Sequence, residues 1–228
     1  AQTPAITNGL NYLNSTQNAD GSWGGDTSST DILPATVSVI ETLQVFNQTS
    51  TSNYANAISW LQGQTLETTD YLSERIHALS VAGTDINLLI SYLDEVYTGA
   101  WGGYKDFEVN NLDTALALQA LKRINYPDQN VISSALYYLI GTQNSDGGWG
   151  FYPSTCSGCN DGDPSNVYMT AIVLQTFNVL SSTFNVKDSK DKAVTYLLTK
   201  QNPDGGFGSS SSTVYETALT FEALISSG

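Results

Sequence analysis

The side chains that invite a chemical reading are the carboxylates Asp113, Asp163 and Glu216, the pair Cys156 and Cys159, and His77, the one histidine of a 228-residue chain. Carboxylates with shifted pKa values run general acid–base catalysis when they stand within reach of one another. These are scattered along the chain, and their spacing alone brings no pair together, so no catalytic constellation is visible. Cys156-Ser157-Gly158-Cys159 admits three readings. A structural disulfide fits an even cysteine count in a secreted chain, and closing so short a loop contributes about 2 kcal/mol in the chain-entropy model. Zinc needs three or four ligands, whereas there is no second cysteine pair and His77 is remote. Free or redox-active thiols are the third reading, although a thioredoxin-like role expects a βαβ setting. The neighbouring Asn160, Asp161 and Asp163 lack the spaced ligand set of a calcium loop and read as solvated turn acids.

A repeat must position these residues. Gln143-Asn144-Ser145-Asp146-Gly147-Gly148-Trp149-Gly150 has a counterpart in Gln17-Asn18-Ala19-Asp20-Gly21-Ser22-Trp23-Gly24 and another in Gln201-Asn202-Pro203-Asp204-Gly205-Gly206-Phe207-Gly208. Tyr12-Leu13, Tyr138-Leu139 and Tyr196-Leu197 precede them at a constant distance. A weaker copy runs from Tyr92-Leu93 to Gly99-Ala100-Trp101-Gly102, with Tyr97 in the glutamine's place. Such periodicity outranks any local signal. The apolar stretch up to Gln reads as the end of a helix. Asp-Gly-Gly accepts positive φ and reverses the chain, and the aromatic pins the turn. The Gln side chain can bond main-chain groups freed at the helix end, tying neighbouring turns together. A second helical pattern follows each turn, as in Asp113 to Leu121, Met169 to Phe177 and Glu216 to Leu224.

The expected outer helices lie near 4–17, 84–97, 129–143 and 188–201, and the inner ones near 32–46, 68–82, 111–123, up to 180, and 213–226. Trp60-Leu61 marks the outer helix of a worn second unit. Pro34 fits the first turn of its helix, Asp113, Asn110 or Asn111 can cap the third inner helix, and Asp188 or Ser189 the last outer one. The predicted fold class is all-α: one domain over 1–228, ten helices in five hairpins.

Eight basic against twenty-two acidic residues, a net charge of -14, make nucleic acid an unlikely partner. No apolar run is long enough to insert into a membrane. Few charges and many Ser, Thr, Asn and Gln residues suit a secreted or cell-surface protein. The start Ala1-Gln2-Thr3-Pro4 reads like a chain after signal removal or trimming, and Ile225 to Gly228 like entry to a linker. Sequons at Asn14 and Asn47 are what chance supplies in such a composition.

The pattern Tyr-Leu-x3-Gln-x3-Gly-x-Trp resembles the QW repeat of the squalene-cyclase and protein-prenyltransferase superfamily. The resemblance implies an α/α toroid, with an inner and an outer ring of helices. Rings of this kind often carry a further pair, so either five pairs close this one or another segment completes it. It also implies that residues just before or at the start of inner helices surround one mouth: Asp31, Asp113, Asp163, Asn166, Tyr168, Tyr215 and Glu216. The plainer reading makes them helix caps and acids that complement the helix dipole. The column Glu41, His77, Gln119, Gln175 and Glu222 either bonds neighbouring helices together or faces a wet cavity.

The chemistries of the resembled proteins lack their residues here. Triterpene cyclases use an Asp-x-Asp-Asp run, which is absent. Prenyltransferases place a Cys two residues after a zinc-binding Asp, and after Asp113 that place holds Ala115. Complement-type thioester domains need Cys-Gly-Glu-Gln, whereas Cys156 precedes Ser-Gly-Cys, and lanthipeptide-cyclase zinc ligands are missing too. Asp113-Thr114-Ala115 and Asn166 to Gln175 more weakly resemble inner helices of transcobalamin and intrinsic factor, which add a β domain not found in this chain. The reading is therefore a secreted or cell-surface toroid without catalysis or cofactor, binding a polar ring-bearing ligand (a glycan or corrinoid) or a protein partner. The alternatives are a divergent terpenoid-cyclising or glycan-cleaving enzyme and a structural subunit of an extracellular array or filament.

Overall fold

A computed structural model describes residues 3–25, 32–65, 68–153, 163–208 and 211–228. Among them are ten helices: α1 (Pro4–Ser15), α2 (Ile32–Val45), α3 (Ser52–Gln62), α4 (Thr69–Val81), α5 (Asn87–Val96), α6 (Asn111–Arg123), α7 (Gln129–Gly141), α8 (Val167–Leu180), α9 (Lys187–Thr199) and α10 (Val214–Ile225). Strand pairing among the described residues is limited to the isolated bridges Trp149–Asn166 and Phe207–Thr213. The fold is the all-α, α/α toroid type, with odd-numbered outer and even-numbered inner helices. Its contacts gather into two compact units, Ala1–Tyr92 and Leu93–Gly228. In the first, α2 packs on α3 and α4; in the second, α8 packs on α6, α9 and α10, and α6 on α7.

Local chemistry sets the helix ends. Thr3, Thr51, Asn110, Asp128, Asn166 and Thr213 each accept a main-chain N–H of the first turn with their side chains. Two boundaries differ from the sequence reading. The Asp85 carboxylate accepts the Asn87 N–H at 2.9 Å, holding a turn where the helix was expected to have begun. Helix α9 starts at Lys187 with no side-chain cap, so Asp188 and Ser189 lie inside it; Asp188 complements the dipole of the first turn.

One clamp recurs at the turns. The main-chain N–H of Trp23, Trp101, Trp149 and Phe207 donates to the hydroxyl of Thr36, Thr114, Thr170 and Thr217 on the following inner helix, at 2.9, 3.0, 3.1 and 2.9 Å. Thr36, Thr114 and Thr217 return a bond to the carbonyl of the same aromatic residue. Each tryptophan's indole N–H then donates backwards to the outer helix, to the carbonyl of Leu13, Leu93 or Leu139. Trp149 is fully buried and meets Phe177 edge-on at 5.5 Å. The buried polar main chain of the turn is thereby satisfied from both members of its hairpin.

Glutamine makes the second joint. Gln17 Nε2 donates to Gly21 O of its own turn and to Asn53 O near the start of α3, both at 2.8 Å. Gln143 does the same with Gly147 O at 2.9 Å and Ser189 O of α9 at 2.8 Å. The backbone of α9 comes so near that a Cβ on Gly147, at φ +91°, would lie 2.7 Å from Lys192 O. The turn acids are held too: the Ser22 and Ser212 hydroxyls donate to Asp20 and Asp204, lowering both carboxyl pKa values.

These contacts predict stability. In chemical denaturation Trp149→Ala should lose about 3–5 kcal/mol as a large buried ring is removed. Thr170→Val, which leaves the Trp149 N–H without its acceptor, should lose about 1–3 kcal/mol. A tryptophan effect below about 0.5 kcal/mol, the range of ordinary surface positions, would contradict the turn-anchor account.

Candidate functional site

In the unit Leu93–Gly228, the inner helices α6, α8 and α10 pack side by side through α8. Their N-terminal turns carry the residues singled out from sequence. Asp113 is buried in the first turn of α6: its N–H donates to Asn110 Oδ1 at 2.9 Å, and its carboxylate accepts from the Asn110 amide. Glu216 is held by the cap Thr213, its carboxylate accepting the Thr213 hydroxyl at 2.9 Å and its N–H donating to Thr213 Oγ1 at 3.0 Å. Asn166 caps α8 by accepting the Met169 N–H at 2.8 Å. Asp163 clasps its loop, accepting the Tyr152 N–H at 3.0 Å while its own N–H donates to Tyr152 O. The three acids and Asn166 thus have structural work at helix starts or in the loop. Asp31 and both cysteines lie outside the described residues.

The tyrosines are placed differently. Tyr168 and Tyr215 occupy the second positions of α8 and α10, and their rings sit 6.0 Å apart, tilted by 37°. Tyr215 is 64% exposed and Tyr168 is half-buried. Further aromatics stand in the loops leading into α6 and α8, which sequence reading passed over. Tyr104 and Phe107, both exposed, pair at 5.3 Å, and Phe151 meets Tyr152 edge-on at 4.8 Å. The two loops are tied together, because Asn111 donates through its N–H to Phe151 O and through its side chain to Gly150 O, both at 3.0 Å. The half-buried Tyr138 hydroxyl donates to Val109 O; desolvation raises its pKa, reinforced by nearby Glu108 and Tyr152. A signal for these loop aromatics was present: a tyrosine stands three residues after the anchor tryptophan in Trp101 to Tyr104 and again in Trp149 to Tyr152.

The polar column lies farther along the inner helices. Gln119 donates to Ile172 O at 3.3 Å and to Thr176 Oγ1 at 3.0 Å, linking α6 to α8. Gln175 reaches Glu222 on α10 at 3.4 Å. In the other unit, His77 Nδ1 and Glu41 Oε1 are 2.7 Å apart, joining α4 to α2. A cavity of about 540 Å³ opens beside Gln119, Arg123, Gln175, Asn178 and Glu222. Among the described residues no group of three or more His, Cys, Asp or Glu side chains could hold a metal ion. No described helix is long and apolar enough to cross a membrane.

The model of the prenyltransferase alpha-alpha toroid domain matches residues 2–74 and 65–226. Squalene–hopene cyclase of Alicyclobacillus acidocaldarius is 31% identical over 113 residues, a match spanning 42% of this chain and 17% of the cyclase. Among solved structures, type II terpene cyclase MstE from Scytonema superposes with a TM-score of 0.69 at 16% identity, over 98% of this chain and 80% of that one. The polysaccharide lyase BACCELL_00875 gives 0.68 at 14% identity, over 97% and 84%. At such identities the structures establish the fold and leave the activity to the site.

The site geometry separates the buried carboxylate of Asp113, held by Asn110, from the exposed ring of Tyr215. Asp113→Ala, which removes a buried partner of Asn110, should lower stability by about 1–3 kcal/mol in urea. Tyr215→Ala at its exposed position should stay within about 0.5 kcal/mol of the parent. Equal effects would undo the distinction.

Proposed function

The chain belongs to the prenyltransferase alpha-alpha toroid domain family, and from that premise we propose that it is a non-catalytic module binding a polar, ring-bearing ligand, a glycan foremost, at the N-terminal ends of α8 and α10. The observation that carries this reading is the Tyr168–Tyr215 pair at 6.0 Å, which presents flat apolar surface with polar tips. Asp163 in the loop before α8 and Glu216 in the first turn of α10 offer hydrogen-bond acceptors, and the loops into α6 and α8 carry the further aromatic pairs Tyr104–Phe107 and Phe151–Tyr152. Sugars and corrinoids both combine flat faces with polar edges, whereas a polyprene has no use for acceptors at its rim. A net charge of -14 favours an uncharged glycan over an anionic one. That a polysaccharide lyase shares the fold lends the glycan support as an analogy.

The similarity to a squalene–hopene cyclase supports a second reading, a divergent enzyme. It requires an acid strong enough to protonate a substrate. The candidate acids are instead engaged in the scaffold, accepting hydrogen bonds from Asn110, Tyr152 and Thr213. We place the protein outside the cell or on its surface, with Cys156 and Cys159 joined. Intact mass should rise by two hydrogen atoms on reduction; two thiols freely alkylated in never-reduced protein would exclude the bridge.

A thermal-shift and calorimetric screen of neutral oligosaccharides, corrinoids and polyprenes tests the function. A ligand at one hundred times its Kd should stabilise the parent by about 2.7 kcal/mol, and the Tyr168→Ala/Tyr215→Ala variant should lose that gain. Turnover of a polyprene, or unchanged binding by the double variant, would overturn the assignment.

A further inference from the structure

The glutamine joint is made twice between successive repeats and prepared a third time without an occupant. Gln201 bonds the carbonyl of Gly205 in its own turn at 2.8 Å, as Gln17 and Gln143 do in theirs. The second acceptor, which α3 and α9 supply to the other glutamines, has no counterpart at Gln201 among the described residues. A Cβ on Gly21 would meet Asn56 O at 2.6 Å and one on Gly147 would meet Lys192 O at 2.7 Å, whereas Gly205 faces open space. A cavity of about 560 Å³ opens there between the turn and α10, beside Gly205, Thr213, Val214 and Ala218. The inner layer is open as well. Val214 and Ile225 are 90% and 76% exposed, and Ala218 and Phe221 complete the same stripe along α10. The corresponding Val167, Ala171 and Leu174 of α8 are buried.

Helix α1 offers the complementary face. The carbonyls that occupy the two filled joints lie seven and four residues before the aromatic of the aromatic-leucine pair: Asn53 and Asn56 before Trp60, Ser189 and Lys192 before Tyr196. In α1 these places are Ala5 and Asn8 before Tyr12, and both are exposed. Tyr12 is 66% exposed against 4% for Tyr196. Gly9 has nothing within 4 Å of an added Cβ, where Ala57 and Ala193 at the same place are buried. We propose that the edge formed by Gln201, Gly205 and the α10 stripe is an interface that receives the first hairpin, α1–α2, of a second copy of this chain. The pairing repeats the joint already used twice within the chain. It is heterologous, so each copy has one receiving and one donating edge.

That polarity makes the proposal testable by complementation. Sedimentation equilibrium of the full chain should show the average mass rising with concentration. Tyr12→Asp, which spoils the donating edge, and Gln201→Ala/Phe221→Asp, which spoils the receiving edge, should each sediment as monomers. Both should keep the parent's circular dichroism; Tyr12→Asp should also match its melting, because Tyr12 is exposed, whereas the receiving-edge variant should melt somewhat lower, since Gln201 bonds Gly205 O and Phe221 meets Phe207 edge-on. Mixed in equal amounts, the two variants should form a dimer and nothing larger, since one intact edge of each kind remains. A parent that stays monomeric at every concentration would overturn the proposal. So would a Tyr12→Asp variant that still self-associates, which would indicate face-to-face pairing of α10 stripes. A mixture that fails to pair would overturn it as well.

Discussion

Everything in this protein hangs on the clamp between the turn aromatic and the threonine of the next inner helix. A helical hairpin leaves main-chain groups at its corner that are too deep for water and outside the helix ladder. Trp23, Trp101, Trp149 and Phe207 meet this constraint through a threonine hydroxyl, a group small enough to be buried and able to accept and donate. The indole N–H supplies the second tie, to the leucine carbonyl on the outer helix. Each turn tryptophan thus fixes both members of its hairpin, its main chain holding the inner helix and its indole the outer one. The clamp tolerates loops of different length: thirteen residues separate Trp101 from Thr114, twenty-one separate Trp149 from Thr170 and ten separate Phe207 from Thr217. Insertions before the inner helices therefore leave the scaffold intact, which is where a site can vary.

The same constraint explains how the candidate site divides its labour. Inner helices begin beside the clamp, so their first turns need caps, and the acids there are engaged by Asn110 and Thr213. The rings at the second helical positions have no such duty. Tyr168 and Tyr215 meet because α8 and α10 start at equivalent heights beside equivalent turns. Stacking surface comes from the register of the repeat, while variable loops leading into α6 and α8 carry the further pairs Tyr104–Phe107 and Phe151–Tyr152.

Repetition also accounts for the edges. Each repeat satisfies part of its polar and apolar surface from its neighbour, so a series of repeats has two ends that differ from its middle. The glutamine shows this residue by residue: Gln17 and Gln143 each reach the following outer helix, and Gln201 bonds its own turn. Where Tyr97 replaces the glutamine, no such joint is found among the described residues, and Gly99 lacks the backbone neighbour that crowds Gly21 and Gly147.

The sequence by itself determined the repeat unit, the order of the helices and the role of the turn, because periodic apolar stretches, Asp-Gly steps and a fixed Tyr-Leu-to-Gln spacing act over a few residues. Helix α5 and helix α9 show its limits: Asp85 held back the start of one, and the other began before its expected cap. Only the tertiary structure decided what the singled-out polar residues do. Asp113 and Glu216 looked like equal partners of Tyr168 and Tyr215 in the sequence, and three-dimensional contacts made the acids partners of the capping residues Asn110 and Thr213 and the tyrosines a pair. The partner of Thr170 stands twenty-one residues away and that of Gln119 fifty-seven, and such distances in the chain carry no local signal. Burial and hydrogen-bond partnership are properties of the packed helices, so which rings and edges remain open became legible when the helices were set against one another.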